Sequence, residues 1–398
     1  MSSEPNFVIL RGSESKSDPG VVREGLVAGD EPVRFDVLVR RRKLTDEAAN
    51  AILAPLASDR RRHLIRDEFR NHFGSDPTEL EKVAQVLRHY GVRAVETDTA
   101  KRTITFIGTA SAVSEAFRAQ LVHYSVPGKP AYRAYQGALL IPAEIADLVE
   151  AVVGLDSTPR FDPDIRHFPG PPRVPPHALT PVQVAQAYRF PPFTSGAGQT
   201  IGIIELGGGF LASDITAAFS ALGIAPPTVI TASGTNSPGT NILNDAEVAL
   251  DIQVAGGCAP GAKLAVYFGP DNSGGSLFST LSTAIHDSTN NPTVISCSWG
   301  AHEEAPMGWE LTAMENLLID AAAMGITVCF SSGDDGASDL VLSDGYAHVH
   351  FLQPALLMRL GAAEPNWVSR SKPYGTIRSE QPGAASVLDS VCLRISLV

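Results

Sequence analysis

The sequence predicts an α/β protein: a parallel sheet with helices on both faces, preceded by a smaller α+β unit of the split βαβ, ferredoxin-like kind. Three observations carry this. Four apolar runs, 199–205, 263–268, 293–297 and 326–330, are separated by stretches of helical spacing, which is the rhythm of buried parallel strands. Upstream, shorter segments alternate apolar and polar residues like half-buried strands, with helical spacing between them. Between these two patterns lies Pro159 to Pro176, whose Pro169-Gly170-Pro171-Pro172 and Pro175-Pro176 continue neither helix nor sheet.

In chain order, Phe35 to Val39 and Thr103 to Ile107 are predicted strands. Asp76 to Tyr90, Ser111 to Phe117 and Pro142 to Val153 show helical spacing behind Asp, Ser or Pro starts. The predicted divisions are an N-terminal unit over 1–165, a Pro-rich linker over 166–178, the sheet domain over 179–351 and a tail over 352–398. After the linker, Thr180-Pro181 opens a helix through Tyr188. The run Gln199 to Glu205 then ends at Gly207-Gly208-Gly209. Strands of such a sheet deliver functional residues at their carboxyl ends.

A formal net charge of −12 argues against a nucleic-acid partner. Its distribution says more than its sum. Residues 1–178 balance 24 basic against 24 acidic residues, whereas 179–351 hold only Arg189 and Lys263 against 16 carboxylates. That composition suits low pH, where carboxylates neutralise and cease to repel. The tail reverses the pattern, with 5 basic against 3 acidic residues. Cys258, Cys297, Cys329 and Cys392 follow no metal-ligand spacing and are expected as buried free thiols. No apolar run is long enough to span a bilayer, and no signal peptide is readable at the N-terminus.

Three segments carry chemistry. Glu247 and Asp251, four residues apart, share one helix face beside apolar Val248, Leu250, Ile252 and Val254. Like charges there repel, so a packed pair holds at least one raised pKa, whereas a solvated acidic face is the plainer reading of the spacing alone. Ser331-Ser332-Gly333-Asp334-Asp335-Gly336 follows a strand end, a turn by composition and a site by position. Ser296-Cys297-Ser298-Trp299-Gly300 is another strand end, bearing a tryptophan that equally suits a core.

These segments together resemble the sedolisin family of serine-carboxyl peptidases. Asp245 to Ala255 followed by Ala259-Pro260-Gly261-Ala262-Lys263 is similar to its Glu-x-x-x-Asp helix. Ser298-Trp299-Gly300 and Ser332-Gly333-Asp334 resemble its next two blocks. Thr180 to Tyr188, with Gly196 to Thr200 and Ile204 to Gly209, resembles the start of the mature enzyme, and His63 to Phe69 with His72-Phe73-Gly74 its activation prodomain. The resemblance runs over about residues 30–351. It implies a subtilisin-like fold and an acid-acting endopeptidase precursor with peptide or protein substrates, its own prodomain as partner, and an extracellular location. By it, Glu247 is the general base for a serine, Asp251 orients Glu247, and Asp334 stabilises the oxyanion. A carboxyl donates to an oxyanion only when protonated, so acid operation follows. Glu205 and Trp299 match positions extending the Glu–Asp network, and Ser298 to Gly300 would line the substrate cleft.

The same resemblance implies a nucleophile in a downstream Gly-Thr-Ser, followed by a calcium loop. This sequence contains no Gly-Thr-Ser, so neither the nucleophile nor calcium is expected in this chain, which is predicted to be inactive with its sheet C-terminally incomplete. Similarity stops after Phe351, where the charge pattern also reverses. Shifting the reading frame over Leu352 to Pro365 allows a family-like Gly-Cys-Gly-Gly-Thr, so the hypothesis for 352–398 is out-of-frame translation. Two rivals were weighed. An acidic glycosidase needs carboxyls facing each other across the substrate, not one helical turn apart. A non-catalytic reading makes the chain an interaction or inhibitor protein acting through its prodomain.

Overall fold

In the computed structural model, the described residues are 6–15, 21–43, 63–126, 131–163, 179–191, 195–300 and 308–331, with two isolated two-residue strands at 347–348 and 376–377. The predicted linker 166–178 and Asp334 lie outside them, as does all of the tail except Thr376–Ile377.

The first part runs β1 (Phe7–Ile9), β2 (Val22–Leu26), β3 (Pro32–Val39), α1 (Arg66–Phe73), α2 (Pro77–Arg88), β4 (Arg93–Asp98), β5 (Thr103–Thr109), α3 (Ala110–Phe117), β6 (Leu121–Ser125), β7 (Tyr132–Tyr135), β8 (Leu140–Pro142), β9 (Val149–Val153) and β10 (Asp162–Pro163). Local chemistry sets the helix starts. Asp76 accepts the Thr78 amide at 2.8 Å with Pro77 in the first helical position, and Thr109 accepts the Ala112 amide at 3.2 Å. Four strands pair antiparallel in the order β4-β5-β3-β9, the split βαβ arrangement. Alternate residues Val33, Phe35 and Val37 of β3 are buried, and Phe35 stacks on Phe106 with centroids 5.3 Å apart.

One expectation fails here. Helical spacing over 142–153 gives instead a short 3₁₀ turn, Ala143–Ile145, and then strand β9. Val149, Val152 and Val153 are β-branched, and pairing with β3 buries them on both faces of the ladder. Long-range pairing thus overrode a local pattern.

The second part runs α4 (Pro181–Ala187), β11 (Thr200–Glu205), α5 (Ala212–Ala221), β12 (Thr228–Ser233), α6 (Ile242–Cys258), β13 (Lys263–Phe268), α7 (Gly274–His286), β14 (Val294–Cys297), β15 (Trp299–Gly300), α8 (Gly308–Ala323) and β16 (Thr327–Phe330). Five strands form a wholly parallel sheet in the order β12-β13-β11-β14-β16. The sequence reading missed β12, a half-exposed edge strand behind Pro226-Pro227.

Period-two alternation assigns the faces. Ile203, Leu264, Val266 and Phe268 meet Ile215 and Phe219 of α5 and Val248 and Ile252 of α6. On the other face, Ile204, Ala265 and Tyr267 share a core with Leu277 and Leu281 of α7 and Leu317 of α8. This second core continues into the N-terminal sheet, so α7 and α8 lie between two sheets. The chain crosses from β11 to β12 and returns to β13 with both helices on one face. One of these crossovers must therefore be left-handed, against the strong preference for right-handed ones. If the steps through α7 and α8 on the opposite face follow the rule, the exception is the β12–α6–β13 unit, which carries Glu247 and Asp251.

Polar contacts join the two parts. Arg66 of α1 donates to the carbonyls of Ile285 and Pro292 at 2.8 Å and to Asn291, so its cation sits at the negative C-terminal end of α7. Arg41 donates to the Asn316 carbonyl at 3.0 Å and pairs with buried Asp320. Cys258, Cys297 and Cys329 are in no disulfide; Cys297 is buried as expected, and the other two are only half-buried.

Candidate active site

The strands β11 and β14 are neighbours, with Ile204 opposite Cys297. Beyond their carboxyl ends the chain continues toward helices on opposite faces of the sheet, α5 and α8, the topological position at which open α/β sheets carry a ligand crevice. Glu205 closes β11, and Ser298 and Trp299 follow β14, so all three enter this crevice.

Helix α6 supplies the rest. Asn241 caps it, its side-chain oxygen accepting the amides of Leu243 at 3.0 Å and Asn244 at 3.3 Å. The glycine turn after β11 packs directly on this first turn. A Cβ at Gly208 would lie 2.7 Å from the Asn244 carbonyl carbon, and Gly208 has φ +71°, so only glycine fits. Asp245 fastens the contact by accepting the Gly209 amide at 2.8 Å and the Gly239 amide at 2.7 Å.

Held in this way, Glu247 and Asp251 point inward. They are 1% and 9% exposed, and Glu205 is 0% exposed, which excludes the solvated acidic face. Val248 and Ile252 are buried as expected, whereas Leu250 faces outward at 44% exposure. The Ser298 hydroxyl donates to Asp251 Oδ1 at 2.8 Å. Trp299 Nε1 donates to Glu205 Oε2 at 3.0 Å, so the tryptophan is both a core residue and a site residue.

Burial pushes the Glu205 carboxyl well above its ordinary pKa, and the charges of Asp251 and Glu247 push it in the same direction. The Trp299 hydrogen bond opposes them. A carboxyl so desolvated beside two others resists ionisation, and Glu205 shows that upward shift. Spacing alone places a raised pKa within the Glu247–Asp251 pair, and the structure adds a third carboxyl, Glu205, whose pKa is raised.

A segment the sequence reading did not single out also reaches the site. Strand β10 pairs antiparallel with β15, Pro163 opposite Trp299 and Asp162 opposite Gly300. The end of the N-terminal part therefore covers the strand expected to line a cleft. No periodicity announces this pairing, because two residues are too few to show one.

Comparison with known proteins points the same way as the sequence resemblance. The description "Pro-kumamolisin, activation domain" matches residues 19–158, and "Subtilase family" matches 223–357. Kumamolisin of Bacillus sp. (strain MN-32) is 38% identical over 356 residues, which is 86% of this chain and 64% of that protein. Both parts of this chain are similar to the sedolisin family. Sedolisin of Pseudomonas sp. (strain 101) is 27% identical over 312 residues, 74% of this chain and 53% of that one. A solved structure of Pseudomonas sedolisin, a serine-carboxyl proteinase complexed with two molecules of pseudo-iodotyrostatin, matches at TM-score 0.36 and 29% identity, covering 40% of this chain and 45% of that one. The chain thus spans less than two thirds of the length of these two curated relatives. The N-terminal part resembles the activation prodomain and the parallel sheet the subtilisin-like part of these proteins.

Proposed function

We propose that this chain carries the carboxylate side of an acid-acting serine-type endopeptidase site, in a precursor divided into a prodomain over 1–165, a linker over 166–178, a peptidase part over 179–351 and an unrelated tail. The observation that supports it is the buried cluster of Glu205, Glu247 and Asp251, tied to the strand end by Trp299 and Ser298. In this reading Glu247 removes the proton of a serine, and Asp251, steadied by Ser298, orients Glu247. A protonated Asp334 donates to the oxyanion that forms on the peptide carbonyl. Glu205 holds its proton beside the pair, limiting the negative charge around the base. Peptides or proteins are the substrates, and an extracellular location follows the family resemblance.

The calcium of the full-length family takes no part in these steps. Among the described residues no group of three or more His, Cys, Asp and Glu side chains could hold a metal ion. Likewise, none of these residues forms a helix long and apolar enough to cross a membrane.

With no Gly-Thr-Ser in its sequence, the chain is expected not to cleave peptides between pH 3 and 5. Cleavage that disappears in Glu247→Ala would overturn this inactivity. The peptidase reading itself is tested by expressing the coding region in the frame that restores family similarity after Phe351. That protein should cleave at acid pH, and Glu247→Ala should lower the rate about 10²-fold or more. Absence of cleavage there sinks the reading. The contacts of Arg41 and Arg66 with α7 and α8 favour one further role, that of a prodomain able to bind a related peptidase as an inhibitor. An assay of this chain against such a peptidase, with no inhibition at any pH, removes it.

A further inference from the structure

The guanidinium of Arg66 sits in a socket that the second part of the chain builds by itself. Its Nε donates to the Ile285 carbonyl at 2.8 Å, its Nη2 to the Pro292 carbonyl at 2.8 Å and its Nη1 to Asn291 Oδ1. Ile285 lies in the last turn of α7, where carbonyls lack intrahelical partners and the helix dipole is negative. The connection from α7 to β14 is stiffened from within rather than by Arg66. Asp287 Oδ1 accepts the amides of Thr289 at 2.7 Å and Asn290 at 3.0 Å, and its Oδ2 accepts the Tyr267 hydroxyl at 2.8 Å. The Asn291 amide donates to the Asp287 carbonyl at 3.0 Å, and the Thr293 amide ties the end of the loop to the Thr200 carbonyl of β11 at 3.0 Å. Asn291 has φ +52°, a left-handed conformation that Asn tolerates, and its side-chain oxygen meets the same guanidinium as the two carbonyls. Three neutral oxygens, held by contacts that do not involve the N-terminal part, thus converge on one planar cation.

We infer that the loop between α7 and β14 is a binding site for an arginine side chain, filled in this structure by Arg66 and open to an arginine of a separate protein when the N-terminal part leaves. A guanidinium, with its donors fixed in one plane, meets all of these acceptors at once, which the compact ammonium of lysine does not. Two neighbouring contacts define the segment that delivers the arginine. Two residues before it, the Leu64 amide donates to the carbonyl of Ala323, the last residue of α8, at 3.0 Å. Three residues after it, Phe69 is 2% exposed and lies against the His286 ring, with centroids 5.7 Å apart. Arg66 and Phe69 share one face of α1. The surface therefore fits a partner whose helix opens with arginine and carries an aromatic residue three positions on, as in a related prodomain. The choice of partner rests on the inhibitor role proposed above, whereas the site itself does not.

The probe is methylguanidinium, the head of an arginine side chain, titrated into the full chain carrying Arg66→Ala. Binding is read from the amide resonances of Asn291 and Thr293. These should shift saturably at millimolar probe, with an affinity about tenfold or more above that for methylammonium. The parent chain, whose socket Arg66 fills, should show no saturable shift. Arg66→Lys is the second variant, keeping the charge but not the planar fork; amide exchange at Phe69 should rise about tenfold as the docked turn loosens. No saturable shift in Arg66→Ala, an equal response to methylammonium, an equal response in the parent, or unchanged exchange in Arg66→Lys overturns the inference. If Arg66→Ala misfolds, Arg66→Lys decides alone. A chain that binds the probe in this way but inhibits no peptidase loses only the inhibitor role.

Discussion

Replacing Trp299 by Phe isolates the bond that ties the strand end to the carboxyl cluster. Trp299 is 1% exposed and its only described polar duty is the 3.0 Å donation to Glu205 Oε2. Removing the indole N–H strands a fully buried acceptor, about 1–3 kcal/mol, and trimming the ring leaves a void worth about 1 kcal/mol. The total of about 2–4 kcal/mol corresponds to a loss of roughly 4–16 °C in Tm for a domain-sized unit. Its pH dependence has a definite sign. Glu205 has a raised pKa, so its contribution is fully present below the ordinary carboxyl pKa and is lost as pH rises through the raised value. The Trp299 bond lowers that pKa, so Trp299→Phe raises it further, and the destabilisation grows from pH 4 to pH 8. Trp309→Phe is the control. Its ring is 6% exposed, and its Nε1 has no hydrogen-bond partner among the described residues, so only the void term of about 1 kcal/mol applies, without pH dependence. Urea unfolding of both variants at the two pH values makes the comparison. Equal losses for the two tryptophans, or a Trp299→Phe loss that shrinks as pH rises, would refute the reasoning.

Three further outcomes are expected. Glu205→Gln removes a carboxyl that resists ionisation, so its urea midpoint should match the parent at pH 4 and exceed it at pH 8; a midpoint that falls more at pH 8 than at pH 4 contradicts the raised pKa. His286, near Asp320 and Phe69, is lowered to about 4 by burial. It therefore contributes stability above pH 6.5 that is lost as pH falls toward 4, about 3 kcal/mol at 1.36 kcal/mol per unit, and His286→Gln should flatten the unfolding curve across that window. Gly208→Ala sets a Cβ against Asn244 at positive φ and should cost about 2 kcal/mol or more, visible as faster amide exchange in the first turns of α6; unchanged exchange would mean that the turn does not position the helix.

Particular residues show what was legible beforehand. The strands at 200–205 and 263–268 were readable because both faces are largely buried and favour apolar residues, and those at 294–297 and 327–330 were readable from their short apolar runs, although the last is a half-buried edge strand. Edge strand β12 was not, since half its surface meets solvent and its composition is undistinguished. Strand β9 was misread because Val149, Val152 and Val153 fit a helical stripe equally well until β3 lies beside them. In the site, Glu247 and Asp251 were found by spacing, and Ser298 and Trp299 by their place after a strand.

The sequence by itself determined the fold class, the family resemblance and the candidate residues on α6 and at the strand ends, because periodicity and motif spacing are local properties of the chain. Only the tertiary structure decided whether Glu247 and Asp251 are solvated or enclosed, that Glu205 resists ionisation, and that Asp162–Pro163 lies along Trp299–Gly300. Each of these depends on groups distant in sequence brought together: a desolvated carboxyl beside two others, and a strand whose partner is more than a hundred residues away.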